Sequence, residues 1–179
     1  KMNSPLLTVV TPTYNEEVNV LPFLSALRAA IESVCDYEVL FVDDSTDSTP
    51  AIVRAEGECD PRVRLLHRSP AERNGLAGAY ADGFREARGE YICCLDTDLQ
   101  HPPEKIPEFL ATALSSGADI VVASRYVAGG SGTAGLDNVY RKAASLGSKY
   151  LGQIFFKRLR LSSDPGGGFF LFRRAILRE

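Results

Sequence analysis

Tyr91-Ile92-Cys93-Cys94-Leu95-Asp96-Thr97-Asp98-Leu99-Gln100 joins an unbroken apolar run to two carboxylates spaced one residue apart. A short continuous run of this kind reads as a strand buried on both faces, the habit of parallel sheets. Adjacent strand residues point to opposite faces, so Cys93 and Cys94 are poorly placed for a shared metal or an easy disulfide. The carboxylates that follow fall where such sheets bind ligands, beyond the carboxyl ends of the strands.

Working outward, strands alternate with helices on both sides of this run. Leu6–Thr11 is a β-branched strand closed by Pro12, and Val20, Leu24, Leu27, Ile31 and Val34 then recur at helical spacing. Glu38–Val42 is the second strand, and Thr49 before Pro50 reads as an N-cap with a first-turn proline, opening a helix to about Glu56. Val63–His67 is the third strand, followed by a small-residue helix over Gly75–Arg88. Beyond the quoted run, Ile106, Phe109, Leu110, Ala113 and Leu114 mark a helix stopped by Gly117, and Ile120–Ala123 is the fifth strand. Val139, Ala143, Leu146, Tyr150 and Ile154 give a long amphipathic helix, and Phe169–Phe172 is a last short strand. The expected fold is α/β, a mainly parallel central sheet with helices on both faces. The 179 residues form one domain with no internal repeat and no run able to span a bilayer.

The net charge of −3 hides an asymmetry. Residues 1–137 carry 11 Lys and Arg against 21 Asp and Glu, whereas residues 138–179 carry 9 against 2. A basic end on an acidic body suits an anionic partner such as a phosphate or a membrane surface, although a solvated basic helix face would read the same way. The cysteines, Cys35, Cys59, Cys93 and Cys94, form no C-x-x-C pair, so reduced cysteines of a cytosolic protein are expected.

Three strand ends carry the chemistry. Asp96 and Asp98 can converge on one divalent cation, with Gln100 adding a neutral oxygen; hard oxygen donors suit Mg²⁺ or Mn²⁺, which would neutralise a diphosphate. The plain alternative is an exposed acidic turn. Asp43 and Asp44, in Val42-Asp43-Asp44-Ser45-Thr46-Asp47, could accept hydrogen bonds from a base N–H or a ribose hydroxyl; capping of the next helix is the alternative, and it suits Asp47 or Ser48 better. Tyr14, in Pro12-Thr13-Tyr14-Asn15-Glu16, offers an aromatic face for a base unless it packs on the next helix. Dinucleotide binding is excluded because no G-x-G-x-x-G follows the first strand, and no P-loop is present. His67 and His101 are too few and too scattered for a zinc site or a Ser-His-Asp triad.

In this order, TPTYNEE, VDDSTD, NGLAGAYADGF, LDTDLQHPPE, SRYVAGG and DPGGGFFLFRR closely resemble the dolichol-phosphate mannose synthase-like branch of the inverting family-two glycosyltransferases, from about Leu6 to Arg174. The resemblance implies a GT-A-type nucleotide-diphospho-sugar transferase fold. It implies that Pro12, Tyr14, Glu16, Asp43 and Asp44 hold base and ribose, and that Asp96, Asp98 and Gln100 form the metal and diphosphate site. It implies that Arg125 meets a phosphate, that Arg141 lies near the lipid phosphate, and that Asp164 is a pocket residue on the acceptor side. Asp98, Arg125 and Asp164 are the expected catalytic set. The expected partners are a nucleotide-sugar donor, a polyprenyl phosphate acceptor and the cytoplasmic face of a membrane, with no nucleic acid.

The chain departs from the branch twice. The turn after Asp43-Asp44 is one residue shorter, and Gly166-Gly167-Gly168 follows Pro165 where the branch has a longer side chain and a Ser before its Gly. Interfacial or transmembrane helices usual in the branch do not follow, so a core cut before such helices is expected. Two rivals remain. A nucleotidyltransferase would need a Gly-rich, basic loop after the first strand, which TPTYNEE is not. A non-catalytic module sits poorly with intact Asp96, Asp98 and Arg125.

Overall fold

The computed structural model describes residues 4–123 and 168–177. In chain order these form β1 (Leu7–Thr13), α1 (Val20–Ile31), β2 (Tyr37–Asp43), α2 (Thr49–Cys59), β3 (Val63–His67), α3 (Gly75–Glu86), β4 (Tyr91–Cys94), α4 (Ile106–Ser116), β5 (Ile120–Val122) and β6 (Phe170–Arg173). They build a sheet of order β3-β2-β1-β4-β6-β5. β1, β2, β3 and β4 pair in parallel, and β6 runs antiparallel to both β4 and β5. The expected mainly parallel sheet therefore holds, with one reversed strand set into it.

The alternation of the strands divides the core into two layers. Leu7, Val9, Phe41 and Cys93 pack with Phe23, Leu24 and Leu27 of α1 and Phe109 and Leu110 of α4. Val10, Leu40, Val42 and Cys94 pack on the other face with Ala79 of α3. The neighbouring cysteines lie in opposite layers, as strand geometry requires. The small residues of α3 let it approach closely: a Cβ on Gly83 would fall 2.5 Å from Val10 Cγ1 and 2.9 Å from Val42 Cγ2.

Several boundaries differ from the sequence reading. β1 continues through Pro12 to Thr13. Thr13 C=O accepts from Asp44 N, so the Pro12 backbone faces the β4 side, where the ladder has already ended at Val10–Cys94 and no sheet bond is lost. α1 stops at Ile31 and leaves Val34 exposed. α2 runs on to Cys59, and its N-cap is Ser48 rather than Thr49. The Thr49 hydroxyl accepts instead from Glu16 N at 2.9 Å, a bond to a distant loop that local spacing does not reveal.

The topology also places the ligand crevice. From β1 the chain builds outward through β2 and β3, then returns to the other side of β1 with β4. In open α/β sheets such a reversal parts the loops at the carboxyl ends of the two central strands, here β1 and β4.

Candidate active site

The loops after β1, β2 and β4 and the start of α3 enclose a cleft of about 430 Å³. Pro12, Tyr14 and Glu16 line it from β1, Asp44 from β2, and Asp96 and Asp98 from β4. Six residues read from three separate motifs thus share one cavity. Gly75, Leu76 and Ala79 of α3 complete the wall. Tyr14 is 64% exposed and Leu76 61%, so neither packs into the core.

The β1 and β2 loops are stitched together. Asn15, at φ 57°, donates from its N–H to Ser45 Oγ at 2.8 Å, and its Oδ1 accepts from Thr46 N at 2.9 Å. Asn is among the few residues that adopt the left-handed region at low cost. Asp47 accepts from Thr49 N at 3.0 Å, so its carboxylate serves the start of α2, whereas Ser48 makes no side-chain cap bond.

Asp43 and Asp44 separate sharply. Asp43 is fully buried, and it accepts from Thr13 Oγ1 at 2.8 Å and Ser45 Oγ at 2.5 Å while lying 2.6 Å from His67 Nδ1. Its carboxylate ties β1, β2 and β3 together beneath the cleft and does not face it, contrary to the sequence expectation of a shared role with Asp44. Asp44 alone of the two reaches the cavity.

Asp98 Oδ1 accepts from Gln100 N at 3.0 Å, a two-residue turn that holds Leu99 at φ 59°. A left-handed leucine is costly, on the order of 1–2 kcal/mol, and such strain marks sites where direction matters. Here the turn carries the Asp98 carboxylate into the cleft. Gln100 is exposed and does not line the cavity.

Asp96 is half-buried, and its Oδ1 lies 3.4 Å from the Tyr80 hydroxyl. Burial first, and the Asp98 charge second, push its carboxyl above the ordinary range. Burial and the Asp96 charge likewise raise Tyr80, which stays a protonated donor. The stretch leading into β6 passes beside this pair: a Cβ on Gly168 would sit 3.6 Å from both Asp96 Oδ2 and His101 Nε2. The His101 ring lies 5.5 Å from Phe169, which packs 4.6 Å from Phe109, so the histidine also anchors the loop to the core.

Among the described residues no group of three or more His, Cys, Asp and Glu side chains could cage a metal ion alone. The pair nevertheless fits a hard divalent cation. Mg²⁺-like ions are commonly held by one or two carboxylates, with water and substrate phosphate filling the other positions.

The sequence reading missed Arg68. It follows β3 directly, is 3% exposed, and grips Asp44 with Nε at 2.9 Å and Nη2 at 2.5 Å. Those bonds hold its guanidinium above its ordinary pKa against the cost of burial. The available signal was the surplus of acidic residues at three adjacent strand ends, which calls for a buried counter-charge. Arg125, Arg141, Asp164, Gly166 and Gly167 lie outside the described residues.

Residues 8–179 match the family model described as "Glycosyl transferase family 2". The chain is 35% identical over 173 residues to a dolichol-phosphate mannosyltransferase of Pyrococcus furiosus, covering 96% of this chain and 47% of that protein. It is 34% identical over 178 residues to the dolichol-phosphate mannosyltransferase of Saccharomyces cerevisiae, covering 96% of this chain and 62% of that protein. The chain thus spans about half the length of the curated relatives it matches. Among solved structures it is similar to glucosyl-3-phosphoglycerate synthase from Mycobacterium tuberculosis in complex with Mn²⁺, UDP and glucosyl-3-phosphoglycerate. That match has a TM-score of 0.71 and 20% identity, and covers 97% of this chain and 58% of that one. It is also similar to a mannosyltransferase from Pyrobaculum calidifontis in complex with GDP-Man and Mn²⁺, with a TM-score of 0.61 and 22% identity, covering 98% of this chain and 46% of that one. At these identities the structural likeness establishes the GT-A-like fold.

Proposed function

We infer the function from one premise: the chain belongs to glycosyl transferase family 2. The proposed reaction moves a sugar from GDP-mannose or a UDP-sugar to the phosphate of a polyprenyl or dolichyl lipid, with inversion at the anomeric carbon. The observation that carries it is a single cleft with the exposed Tyr14 ring and Asp44 on one side and the Asp96–Asp98 pair on the other. That is the layout a nucleoside diphosphate requires, with a face for the base, an acceptor for its N–H or ribose hydroxyl, and an acidic pair for a cation on the diphosphate.

Asp96 and Asp98 would hold the divalent cation, Mg²⁺ or Mn²⁺, with water and substrate phosphate filling its other positions, since Gln100 does not line the cleft. Such an ion, when bound, stabilises charge developing on the leaving diphosphate. Tyr14 covers the base, and Pro12, Glu16 and Asp44 orient base and ribose. Arg125 clamps a phosphate, Arg141 holds the acceptor phosphate, and Asp164 shapes the acceptor pocket; these three roles rest on the sequence resemblance. The acceptor needs no dedicated base. A phosphate monoester has a second pKa near 6, so its attacking oxygen is largely ionised at neutral pH. A hydroxyl acceptor would instead require a group to take its proton.

A lipid acceptor places the working enzyme at the cytosolic face of a membrane, and the basic stretch 138–179 suits anionic headgroups. No helix among the described residues is long and apolar enough to cross a membrane.

The test is formation of lipid-linked sugar from labelled GDP- and UDP-sugars with polyprenyl phosphate and Mn²⁺, with and without chelator. The expected result is one preferred donor and loss of product in chelator. Full turnover in excess chelator removes the metal assignment, and no lipid-linked product from any donor removes the reaction. Thermal shift ranks the donors, because a ligand at 100 times its Kd stabilises the fold by about 2.7 kcal/mol.

A further inference from the structure

We propose that Arg68 is the positioning residue of the nucleotide end of the cleft, fixing Asp44 and the start of α3 relative to each other. The proposal rests on the donor-site reading above and adds to it a residue that touches no reacting atom.

One buried guanidinium connects two walls that belong to different elements. Toward β2 it holds both oxygens of Asp44, the cleft carboxylate. Toward α3 its Nη1 donates to Asn74 Oδ1 at 2.8 Å and Asp82 Oδ2 at 3.1 Å, and its Nη2 points at Gly75 C=O at 3.4 Å. Its own N–H donates to Asp43 C=O at 2.9 Å, which extends the sheet ladder and fixes the backbone from which it reaches. Asp44 and Gly75 both line the cleft, whereas Arg68 does not.

Two physical consequences follow. A bidentate fork sets the plane of the Asp44 carboxylate and leaves its outer lone pairs for a ligand. The guanidinium also offsets the Asp44 charge, so a carboxylate can face a ligand that itself carries a diphosphate. Arg73 adds to this, with Nε 3.9 Å from Asp44 Oδ1.

The brace depends on a glycine outside the cleft lining. A Cβ on Gly78 would fall 1.4 Å from Asn74 Oδ1, so any side chain there evicts Asn74 from Arg68. Gly78→Ala therefore disturbs the brace without changing a charge.

The experiment is a double-mutant cycle on the affinity for GDP and UDP with Mn²⁺, measured by titration calorimetry for wild type, Arg68→Gln, Asp44→Asn and the double variant. Each single change is expected to weaken binding roughly tenfold or more, the scale of a lost charge-assisted hydrogen bond. The double variant should be no weaker than the poorer single one, because Arg68 acts through Asp44. In turnover assays the loss should appear in donor KM rather than kcat, and Arg68→Lys should fail to rescue it, since an ammonium cannot span both oxygens and Asn74. If Arg68→Gln does not fold, Gly78→Ala and Asn74→Ala carry the test and should raise donor Kd in the same direction. Additive losses in the cycle, or wild-type affinity in Gly78→Ala and Asn74→Ala, overturn the role of Arg68 while leaving the donor site standing. A wild-type protein that binds neither GDP nor UDP overturns the donor-site reading and this proposal together.

Discussion

The two ends of the sheet treat their carboxylates in opposite ways. At the amino end Glu38, Glu56, Asp60 and Glu32 are each matched by an arginine. Glu38, 5% exposed, accepts from Thr8 Oγ1 and Arg88 N and pairs with Arg64 at 3.0 Å. Arg28 bridges Glu56 at 3.0 Å and Asp60 at 3.4 Å, and Arg62 bridges Asp60 at 2.9 Å and Glu32 at 3.0 Å. At the carboxyl end, the bonds made by Asp96 and Asp98 among the described residues run to a tyrosine hydroxyl and a backbone N–H. Asp44 stands between the two cases, facing the cleft on one side and held by Arg68 on the other. The same residue types therefore serve packing where an arginine of the described residues pairs with them, and face the cleft where none of the described arginines does. The surplus of acid in residues 1–137 becomes informative once it is divided this way.

The largest expected effect lies at the Asp96–Asp98 pair, which has no arginine partner among the described residues. Asp98→Asn should lower turnover by about 10²–10³-fold, the usual cost of removing one preorganised electrostatic contact to developing charge. Its melting temperature should stay at or slightly above wild type, because the change removes repulsion with Asp96 and breaks no core contact. Turnover with saturating Mn²⁺ and a melting curve on the same sample check it. A large fall in melting temperature would erase the contrast between the two ends.

Glu38→Gln should show the reverse pattern. It leaves Arg64 and the Arg88 N–H without their carboxylate in a buried setting, at a cost of about 3 kcal/mol. Urea unfolding should show the loss in the midpoint, with turnover per folded molecule unchanged. A stable but inactive Glu38→Gln would give the amino end a functional role that the comparison denies it.

The features that proved legible in the sequence share a cause. The run Tyr91–Leu95 is short, unbroken and apolar, which with its flanking Gly89 and acidic turn suits a doubly buried strand, and the turn after it points beyond the sheet, so the strand and the acidic pair read off together. Periodicity likewise found α1 and α4. What escaped depends on contacts between distant segments. Asp43 and Asp44 are adjacent and chemically identical, and one step of strand alternation sends one beneath the sheet's end and the other into the cleft. Thr49 fits an N-cap by local rules, yet Glu16 takes its hydroxyl. Arg68 became a site residue only when β3 paired with β2 and brought it to Asp44. The reversed direction of β6 depends on how the chain returns between β4 and β5, which no local pattern specifies.

The smallest expected effect sharpens the comparison through pH. Hydrogen bonding from Arg62, opposed in part by burial, holds the Asp60 carboxyl below the ordinary carboxylate value. A folded pKa below the unfolded one means that the native state favours the ionised form. The associated stability is fully present above the unfolded value, near 3.9, and is lost as pH falls through the lower folded value. Arg62 is partly exposed, so screening limits the contribution to about 1 kcal/mol. Asp60→Asn should therefore be slightly less stable than wild type at pH 7, and the gap should begin to narrow as pH falls below about 4 and close only below the lowered folded pKa. Paired urea titrations at pH 7 and pH 3 measure this difference directly. A gap that does not narrow at all between pH 7 and pH 3 would mean that Asp60 stabilises by shape and neutral hydrogen bonding rather than by charge. Asp60 would then resemble Asp96 and Asp98, whose bonds among the described residues are to neutral groups.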